Sequence, residues 1–237
     1  MGRAAVLIRL ACGPVEGARA AERGDALVVV DVLSFSTTVA VAVARGVRVH
    51  PCPWDRDPRE LAELVGGVPG VRREEVPVLG RYSLSPLSFL DATPGVAVVL
   101  ASPNGATCAA LAGRAAAVFA GALVNASATA RAAAALGRPV TVLACGECAG
   151  DSVRFAVEDW LGAGAVLDCF AERDLSVEAE VCRDGFRVVR DRLERLLLDC
   201  ASGRELLDRG WGDDVRFAAC LDRLDLAARL QDGCFVT

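Results

Sequence analysis

Residues 26–45, ALVVVDVLSFSTTVAVAVAR, constrain the fold more than any other part of the chain. They open with a short valine-rich run at positions 26–30, which is typical of a strand buried on both faces of a parallel sheet. Asp31 follows where that strand should emerge, and an alanine- and valine-rich helix then extends to a stop at Gly46. Ligands of open parallel sheets bind beyond the carboxyl ends of the strands. Asp31 and the hydroxyl residues after it are therefore candidate site residues, although loop shaping and helix capping would also explain them.

The same alternation of strand and helix continues along the chain. Further strands are predicted at 4–10, 47–50, 96–101, 116–124 and 140–144, and helices at 58–66, 106–112 and 127–136. This order indicates an α/β fold in which helices cover a largely parallel sheet. Residues 13–24 are predicted to be a polar connection, and the chain from Phe155 onward to be mainly helical, with a break at Gly185. No linker or repeat interrupts the pattern, so residues 1–237 are predicted to form one domain.

Polar residues follow four of the predicted strands, namely Asp31, Asn104, Asn125 and Glu147. If those strands are parallel, the four residues share one edge of the sheet. Asn104 with Gly105 alone would indicate only a turn, and Asn125 alone only a helix cap. Their joint placement favours a binding site.

Other charged residues gave less definite signals. Glu158 and Asp159 are adjacent in a predicted helix, so about 100° separates their side chains and one can face a site while the other does not. The proline-containing segment 68–94 has no period, which favours either a loop over the site that carries Arg81 to an anion or an ordinary solvated loop. Asp214 lies with another acid at a predicted helix start, where acids are favoured for structural reasons.

The composition excludes several classes of function. All 26 basic residues are arginine, which excludes Schiff-base lysines, and the single histidine, His50, excludes a histidine-rich zinc site. The net charge of −5 provides no excess of basic residues that would indicate binding to nucleic acid. The apolar runs are too short to cross a membrane. Arg9 interrupts the apolar stretch near the start, so we expect no signal peptide and a cytoplasmic protein with reduced cysteines. The pair Cys145 and Cys148 lacks a second pair that would complete a structural zinc site.

Several segments resemble the 2-phosphosulfolactate phosphatase family and occur in the family's order. They are VVVDVLSFSTTVAVAVARG, SPNGATCAAL, GALVNASATARA, ACGE, VEDWLGAGAVL and GRELLDRGWGDDVRFAACLD. The resemblance implies a three-layer α/β/α sandwich and a magnesium-dependent phosphatase that converts 2-phosphosulfolactate to 3-sulfolactate and phosphate, a step toward coenzyme M. The chain is a divergent member, because Ser34 stands where the family usually shows an arginine and the middle region keeps only Ser85 and Pro86 clearly.

The resemblance and the residues after the strands together predict a site for a hard cation and a small anionic phosphoester. Asp31 and Glu147 are the predicted Mg²⁺ ligands. The predicted catalytic carboxylates are Asp31, Glu158 and Asp159. The predicted substrate-binding residues are Ser36, Thr37, Thr38, Arg81, Asn104, Gly105, Asn125, Gly146 and Arg154.

The mechanism and the activity both have alternatives. Attack by metal-bound water and a covalent aspartyl intermediate on Asp31 both stay open, although the haloacid-dehalogenase pattern would need a second aspartate that is absent here. The alternative function is a non-catalytic protein that binds a small anion on the same scaffold. A structural or regulatory protein is a third hypothesis, and a homodimer is a possible assembly.

Overall fold

A computed structural model describes residues 7–150 and 152–237. Its strands are β1 (Ile8–Cys12), β2 (Ala26–Val30), β3 (Arg48–Cys52), β4 (Val68–Pro69), β5 (Ala97–Ala101), β6 (Ala117–Gly121), β7 (Val140–Ala144), β8 (Glu147–Ala149), β9 (Ser152–Arg154), β10 (Ala228–Gln231) and β11 (Cys234–Val236). Its helices are α1 (Gly13–Glu22), α2 (Phe35–Ala44), α3 (Pro58–Val65), α4 (Gly105–Leu111), α5 (Ala126–Ala135), α6 (Val157–Leu167), α7 (Val177–Val189), α8 (Leu193–Asp199), α9 (Ala201–Asp208) and α10 (Gly212–Ala218).

Nine strands form one central sheet in the order β1-β7-β2-β6-β10-β11-β3-β5-β4. Strands β1, β7, β2 and β6 pair in parallel, and so do β3, β5 and β4. The hairpin of β10 and β11 joins these two groups through three antiparallel pairings. The three reversals make the β3-β5-β4 group run opposite to the β2 group, so the sheet is mostly parallel but has two internal directions.

Helices cover both faces of this sheet, which confirms the predicted three-layer α/β/α sandwich. Alternate residues of β2 contribute to different layers: Leu27 and Val29 join the core under α1, α2 and α4, whereas Val28 and Val30 join the core under α5 to α10. All five residues of β2 are buried. Its valine-rich sequence thus serves two hydrophobic cores at once, as expected of a central parallel strand.

Most predicted elements are confirmed, with small shifts at their ends. Strands β2 and β7 have the predicted bounds. Helix α3 begins after Asp57, whose carboxylate accepts the amide N–H of Arg59 at 2.8 Å, and ends at Gly66 in the left-handed conformation. Part of the first predicted strand, residues 4–6, lies outside the described residues.

Two predictions of local structure were wrong, and a third was incomplete. Residues 13–24 were predicted to be a polar connection but contain helix α1, whose buried stripe consists of small residues such as Gly17 and Ala20. Helix α7 continues through Gly185, and the absence of a Cβ there leaves room for the ring of Trp160, whose Cη2 would lie 2.1 Å from such an atom. The chain after Phe155 is mainly helical, as predicted, but it also contains the short strands β10 and β11, which complete the central sheet.

The segment 68–94 is largely irregular, as predicted, but it is not a loose loop. It contains only β4 and two short 3₁₀ turns, Arg73–Glu75 and Pro86–Phe89. The rings of Tyr82 and Phe89 stack with centroids 4.7 Å apart and are buried. Within the described residues, no helix is both long enough and apolar enough to span a membrane.

Candidate active site

Asp31 lies directly after β2, and the fold encloses its side chain so that only 3% is exposed. Its Oδ1 accepts the amide N–H of Phe35 at 3.2 Å. Its Oδ2 accepts the amide N–H of Gly105 at 2.8 Å and the hydroxyl of Ser102 at 3.3 Å. A Cβ at position 105 would lie 2.4 Å from the ring of Phe35 and 2.8 Å from Asp31 Oδ2, so this close approach requires glycine. Asp31 is therefore fixed by donors from two separate loops.

Asp159 is a second buried carboxylate, on the first turn of α6. Its Oδ1 accepts the amide N–H of Val32 at 2.7 Å, and its Oδ2 accepts that of Gly146 at 2.9 Å. Gly146 has a φ of +71°, and a Cβ there would lie 2.6 Å from Val153. Asp159 thus ties the loop after β2 to the loop after β7 and brings its charge close to that of Asp31.

The two carboxylates lack a cationic partner. Burial raises the pKa of Asp31 to about 6, with a smaller contribution from Glu147, and the backbone donors oppose this shift. Burial, followed by the charges of Asp31 and Glu158, raises the pKa of Asp159 well above its usual range. No arginine forms an ion pair with either carboxylate within the described part of the chain. Among the described residues, the charge of the two carboxylates is offset only by hydrogen-bond donors, namely four amide N–H groups and the hydroxyl of Ser102.

Asn104 connects this centre to the hairpin of β8 and β9. Its Nδ2 donates to Glu147 Oε1 at 3.1 Å, and its Oδ1 accepts the amide N–H of Cys148 at 2.9 Å. These contacts bring together Asp31, Asn104 and Glu147, three of the four residues that were predicted to share one edge of the sheet. Arg154 is exposed and lies opposite Glu147 in the hairpin register.

These residues were predicted to meet because the strands before them would be parallel, and this holds for only some of those strands. Strands β2 and β7 are parallel, but β5, which precedes Asn104, runs in the opposite sense. Parallel alignment of β2 and β5 therefore does not account for the contact between Asp31 and the amide N–H of Gly105.

Three predicted substrate-binding residues have hydroxyls that bond within the fold. Ser36 donates to the carbonyl of Val29 at 2.8 Å, Thr37 donates to that of Val32 at 2.8 Å, and Thr38 donates to that of Leu84 at 2.9 Å. All three side chains are fully buried. These contacts hold the start of α2 against the sheet, and they do not support the prediction that the three hydroxyls bind phosphate.

Three other predicted site residues have their main contacts elsewhere and form no hydrogen bond with Asp31 or Asp159 among the described residues. Asn125 is fully buried and caps backbone groups, including the amide N–H of Ala122 at 2.9 Å. Arg81 is half-exposed and pairs with Asp91 at 3.1 Å. Glu158 turns toward Cys200, whose pKa is raised to about 12 by burial and then by this carboxylate. Both members of the pair were predicted to be catalytic, but only Asp159 contacts the loops around Asp31, and Glu158 is buried on another side of α6.

Arg73 and Asp214 form a buried ion pair beside the centre that sequence reasoning did not find. Arg73 Nε donates to Asp214 Oδ2 at 2.9 Å, and its Nη2 donates to Ser34 Oγ at 2.6 Å and to the carbonyl of Leu84 at 2.7 Å. The hydroxyl of Ser85 donates to the other oxygen of Asp214 at 2.6 Å. Asp214 is thus more than the helix-start acid it was predicted to be, and Arg73 pins the irregular segment to the loop after Asp31.

A family model described as 2-phosphosulpholactate phosphatase matches residues 14–233. The chain belongs to this family. Among curated relatives, a protein of Carboxydothermus hydrogenoformans named probable 2-phosphosulfolactate phosphatase is 32% identical over 221 residues, which is 89% of each chain. A protein of Symbiobacterium thermophilum with the same name is 32% identical over 224 residues, covering 89% of this chain and 93% of that one. One from Thermotoga maritima is 26% identical over 227 residues, or 95% and 94% of the two chains.

Membership in the 2-phosphosulfolactate phosphatase family makes the chain a phosphoric monoester hydrolase by class. Within the described residues, no three His, Cys, Asp or Glu side chains converge into a ready-made metal cage. Any cation at the Asp31 centre would thus rely on one or two carboxylates together with water or substrate oxygens, which is how Mg²⁺ is commonly held in phosphate-handling sites.

Proposed function

We propose that the chain is a magnesium-dependent phosphatase that hydrolyses 2-phosphosulfolactate, or a closely related 2-phospho acid, to the hydroxy acid and phosphate. The observation that carries this proposal is the buried carboxylate pair of Asp31 and Asp159, which forms no ion pair among the described residues. It lies beyond the carboxyl end of a central strand, where α/β sheets bind their ligands. The relatives' names supply the substrate class.

The residues present fit a hard divalent cation. An ionised carboxylate that is buried without a partner is unfavourable, and the raised pKa of Asp31 expresses that cost. Asp31 and Glu147 would hold the cation, with the bond from Asn104 at 3.1 Å fixing one oxygen of Glu147. When bound, Mg²⁺ supplies positive charge that stabilises the negative charge developing on the phosphoryl oxygens.

The surroundings of Asp31 favour a fixed ligand over a nucleophile. Both of its carboxylate oxygens already accept hydrogen bonds, three in all, and the side chain is almost completely enclosed. A carboxylate that attacks phosphorus needs a lone pair directed at the substrate from an accessible oxygen. We therefore infer direct attack by water, with Asp31 holding charge and Asp159 holding the two loops in place. Arg154, exposed on β9 beside Glu147, provides a guanidinium for the substrate phosphate.

The test is phosphate release from a panel of small phosphoesters that includes 2-phosphosulfolactate, measured with Mg²⁺ and with a chelator. Purified protein should release phosphate only with Mg²⁺, and Asp31→Asn should abolish turnover while circular dichroism shows an intact fold. Asp208→Asn, an exposed carboxylate change on α9, is the matched control and should retain activity. Saturable anion binding without turnover on any ester would instead support the alternative, a small-anion-binding protein on the same scaffold.

A further inference from the structure

The two carboxylate oxygens of Asp31 differ in the hydrogen bonds that they accept. Each carboxylate oxygen can accept about two hydrogen bonds. Asp31 Oδ2 accepts two, from the amide N–H of Gly105 and the hydroxyl of Ser102. Asp31 Oδ1 accepts only one among the described residues, from the amide N–H of Phe35 at 3.2 Å. Oδ1 is therefore the oxygen with a lone pair left for a cation, and the amide of Phe35 is the donor that orients it.

Ser34, which shares a peptide unit with that amide, is held by a side chain from another segment. Ser34 directly precedes α2, but its side chain makes no capping hydrogen bond to that helix. Its Oγ instead accepts a hydrogen bond from Arg73 Nη2 at 2.6 Å, its one side-chain hydrogen bond within the described residues. Ser34 is only 7% exposed, so water has little access to take the place of the arginine. The peptide unit that carries the Phe35 N–H is thus anchored by Arg73.

Arg73 is itself fixed by three further contacts. Its Nε donates to Asp214 Oδ2 at 2.9 Å, and its Nη2 also donates to the carbonyl of Leu84 at 2.7 Å. Its guanidinium carbon lies 5.3 Å from the centroid of the Trp211 ring. Only 14% of the Arg73 side chain is exposed. Because the donors of a guanidinium form a rigid planar fork, Arg73 can hold Asp214 and Ser34 at the same time, whereas the single ammonium of a lysine could not reproduce this geometry.

We propose that Arg73 is a positioning residue for the Asp31 centre and acts through Ser34 and the amide N–H of Phe35. The proposal rests on the proposed function for the role of Asp31 as a cation ligand. It makes the orientation of Asp31 Oδ1 depend on Asp214, which lies on α10 near the end of the chain. Groups that orient the ligands of a metal commonly change its affinity by about tenfold or more.

Hydrogen exchange tests the connection from Ser34 to Phe35. Ser34→Ala removes the acceptor of Arg73 and leaves the other partners of that arginine in place. The variant should stay folded, because the ring of Phe35 is fully buried and its centroid lies 6.1 Å from that of Phe235. Exchange of the Phe35 amide, followed by NMR, should become about tenfold faster, since its peptide unit has lost its anchor.

Ser202→Ala is the matched control for this measurement. Ser202, on α9, is 8% exposed, and its hydroxyl has no hydrogen-bond partner within the described residues. Exchange of the Phe35 amide in Ser202→Ala should equal that in the wild type. Equal exchange in Ser34→Ala and the wild type would overturn the proposal, whatever reaction the protein catalyses.

Mg²⁺ affinity, measured by isothermal titration, tests the same role without turnover. Ser34→Ala and Arg73→Lys should each weaken Mg²⁺ binding by about tenfold, and Ser202→Ala should not change it. The double variant Ser34→Ala, Arg73→Lys should bind Mg²⁺ as well as either single variant, because both changes remove the same contact. Losses that multiply in the double variant, or an unchanged affinity in Ser34→Ala, would overturn the proposal.

Kinetics separate the positioning role from the phosphatase activity itself. With 2-phosphosulfolactate, Ser34→Ala should need about tenfold more Mg²⁺ for half of its maximal rate, and saturating Mg²⁺ should restore most of kcat with KM unchanged. Turnover whose Mg²⁺ dependence is the same in Ser34→Ala and the wild type would refute the positioning role and leave the phosphatase proposal standing. The expected changes in exchange and in Mg²⁺ affinity, without turnover of any ester, would refute the phosphatase proposal and leave the positioning role standing.

Discussion

The pH dependence of stability should report the buried charge of Asp31 directly. Its pKa is about 6 in the folded protein and 3.8 in its ordinary state. Because the folded protein holds this proton more tightly, the associated stabilisation is full below about pH 4 and is lost as the pH rises to about 6. A shift of about two units corresponds to about 3 kcal/mol in the free energy of unfolding.

Asp31→Asn removes the titrating group, so the variant should lack this loss. Urea unfolding at a series of pH values from about 4 to about 7, with a chelator present, gives the free energy of unfolding of both proteins. The difference between variant and wild type should move by about 3 kcal/mol in favour of the variant across this range. The side-chain amide of asparagine also places a donor against the N–H of Gly105 or Phe35, which lowers the stability of the variant. This loss of stability does not depend on pH.

A control variant and added Mg²⁺ give two further checks on the contribution of Asp31 to the free energy of unfolding. Asp208→Asn, which changes an exposed carboxylate, should follow the wild-type curve. Added Mg²⁺ at about pH 7 should stabilise the wild type and not Asp31→Asn, because ligands that bind only the folded state stabilise it. Parallel loss of stability in wild type and Asp31→Asn from about pH 4 to about pH 7 would refute the reasoning that this carboxylate is buried without compensation.

Three further changes test other contacts of the site. Arg73→Gln should lower the free energy of unfolding by about 3 kcal/mol in urea melts, because it leaves a buried carboxylate unpaired; a change below about 1 kcal/mol would contradict this. Gly105→Ala should destabilise by about 1 to 3 kcal/mol, since its Cβ meets two side chains, whereas Gly113→Ala, with open space around it, should not; equal effects would argue against the close approach. Asn104→Ala should speed hydrogen exchange of the Cys148 amide by about tenfold, and unchanged protection would show that the hairpin is held by other contacts.

The sequence predicted the elements whose pattern is strong. Strand β2 was predicted with its bounds because a continuous valine run has few other uses, and α3 because aspartate, proline and glycine mark both of its ends. Helix α1 was missed because glycine and alanine face the sheet, which leaves almost no hydrophobic stripe. Strands β10 and β11 were missed because they are short and their burial depends on strands far away in the chain.

Some residues of the candidate site could likewise be predicted from the sequence, and others could not. The carboxylate of Asp31 was found from its position after a strand, which topology determines. The directions of the hydroxyls of Ser36, Thr37 and Thr38 depend on rotamers at the start of α2, which sequence spacing does not specify. Arg73 was not found because it lies in a segment without a period, and its partner Asp214 is 141 positions away.

The hairpin between the two strand groups has a consequence for how the molecule is built during translation. Strands β10 and β11 leave the ribosome after every other strand of the sheet, yet they lie at its middle, between β6 and β3. Until they emerge, the edges of both β6 and β3 that face the hairpin lack their backbone partners, and exposed edges of this kind recruit other chains. We therefore expect the nascent protein to pass through a stage with two half-sheets, which the last two strands then join. At that stage we expect the chain to depend most on chaperones.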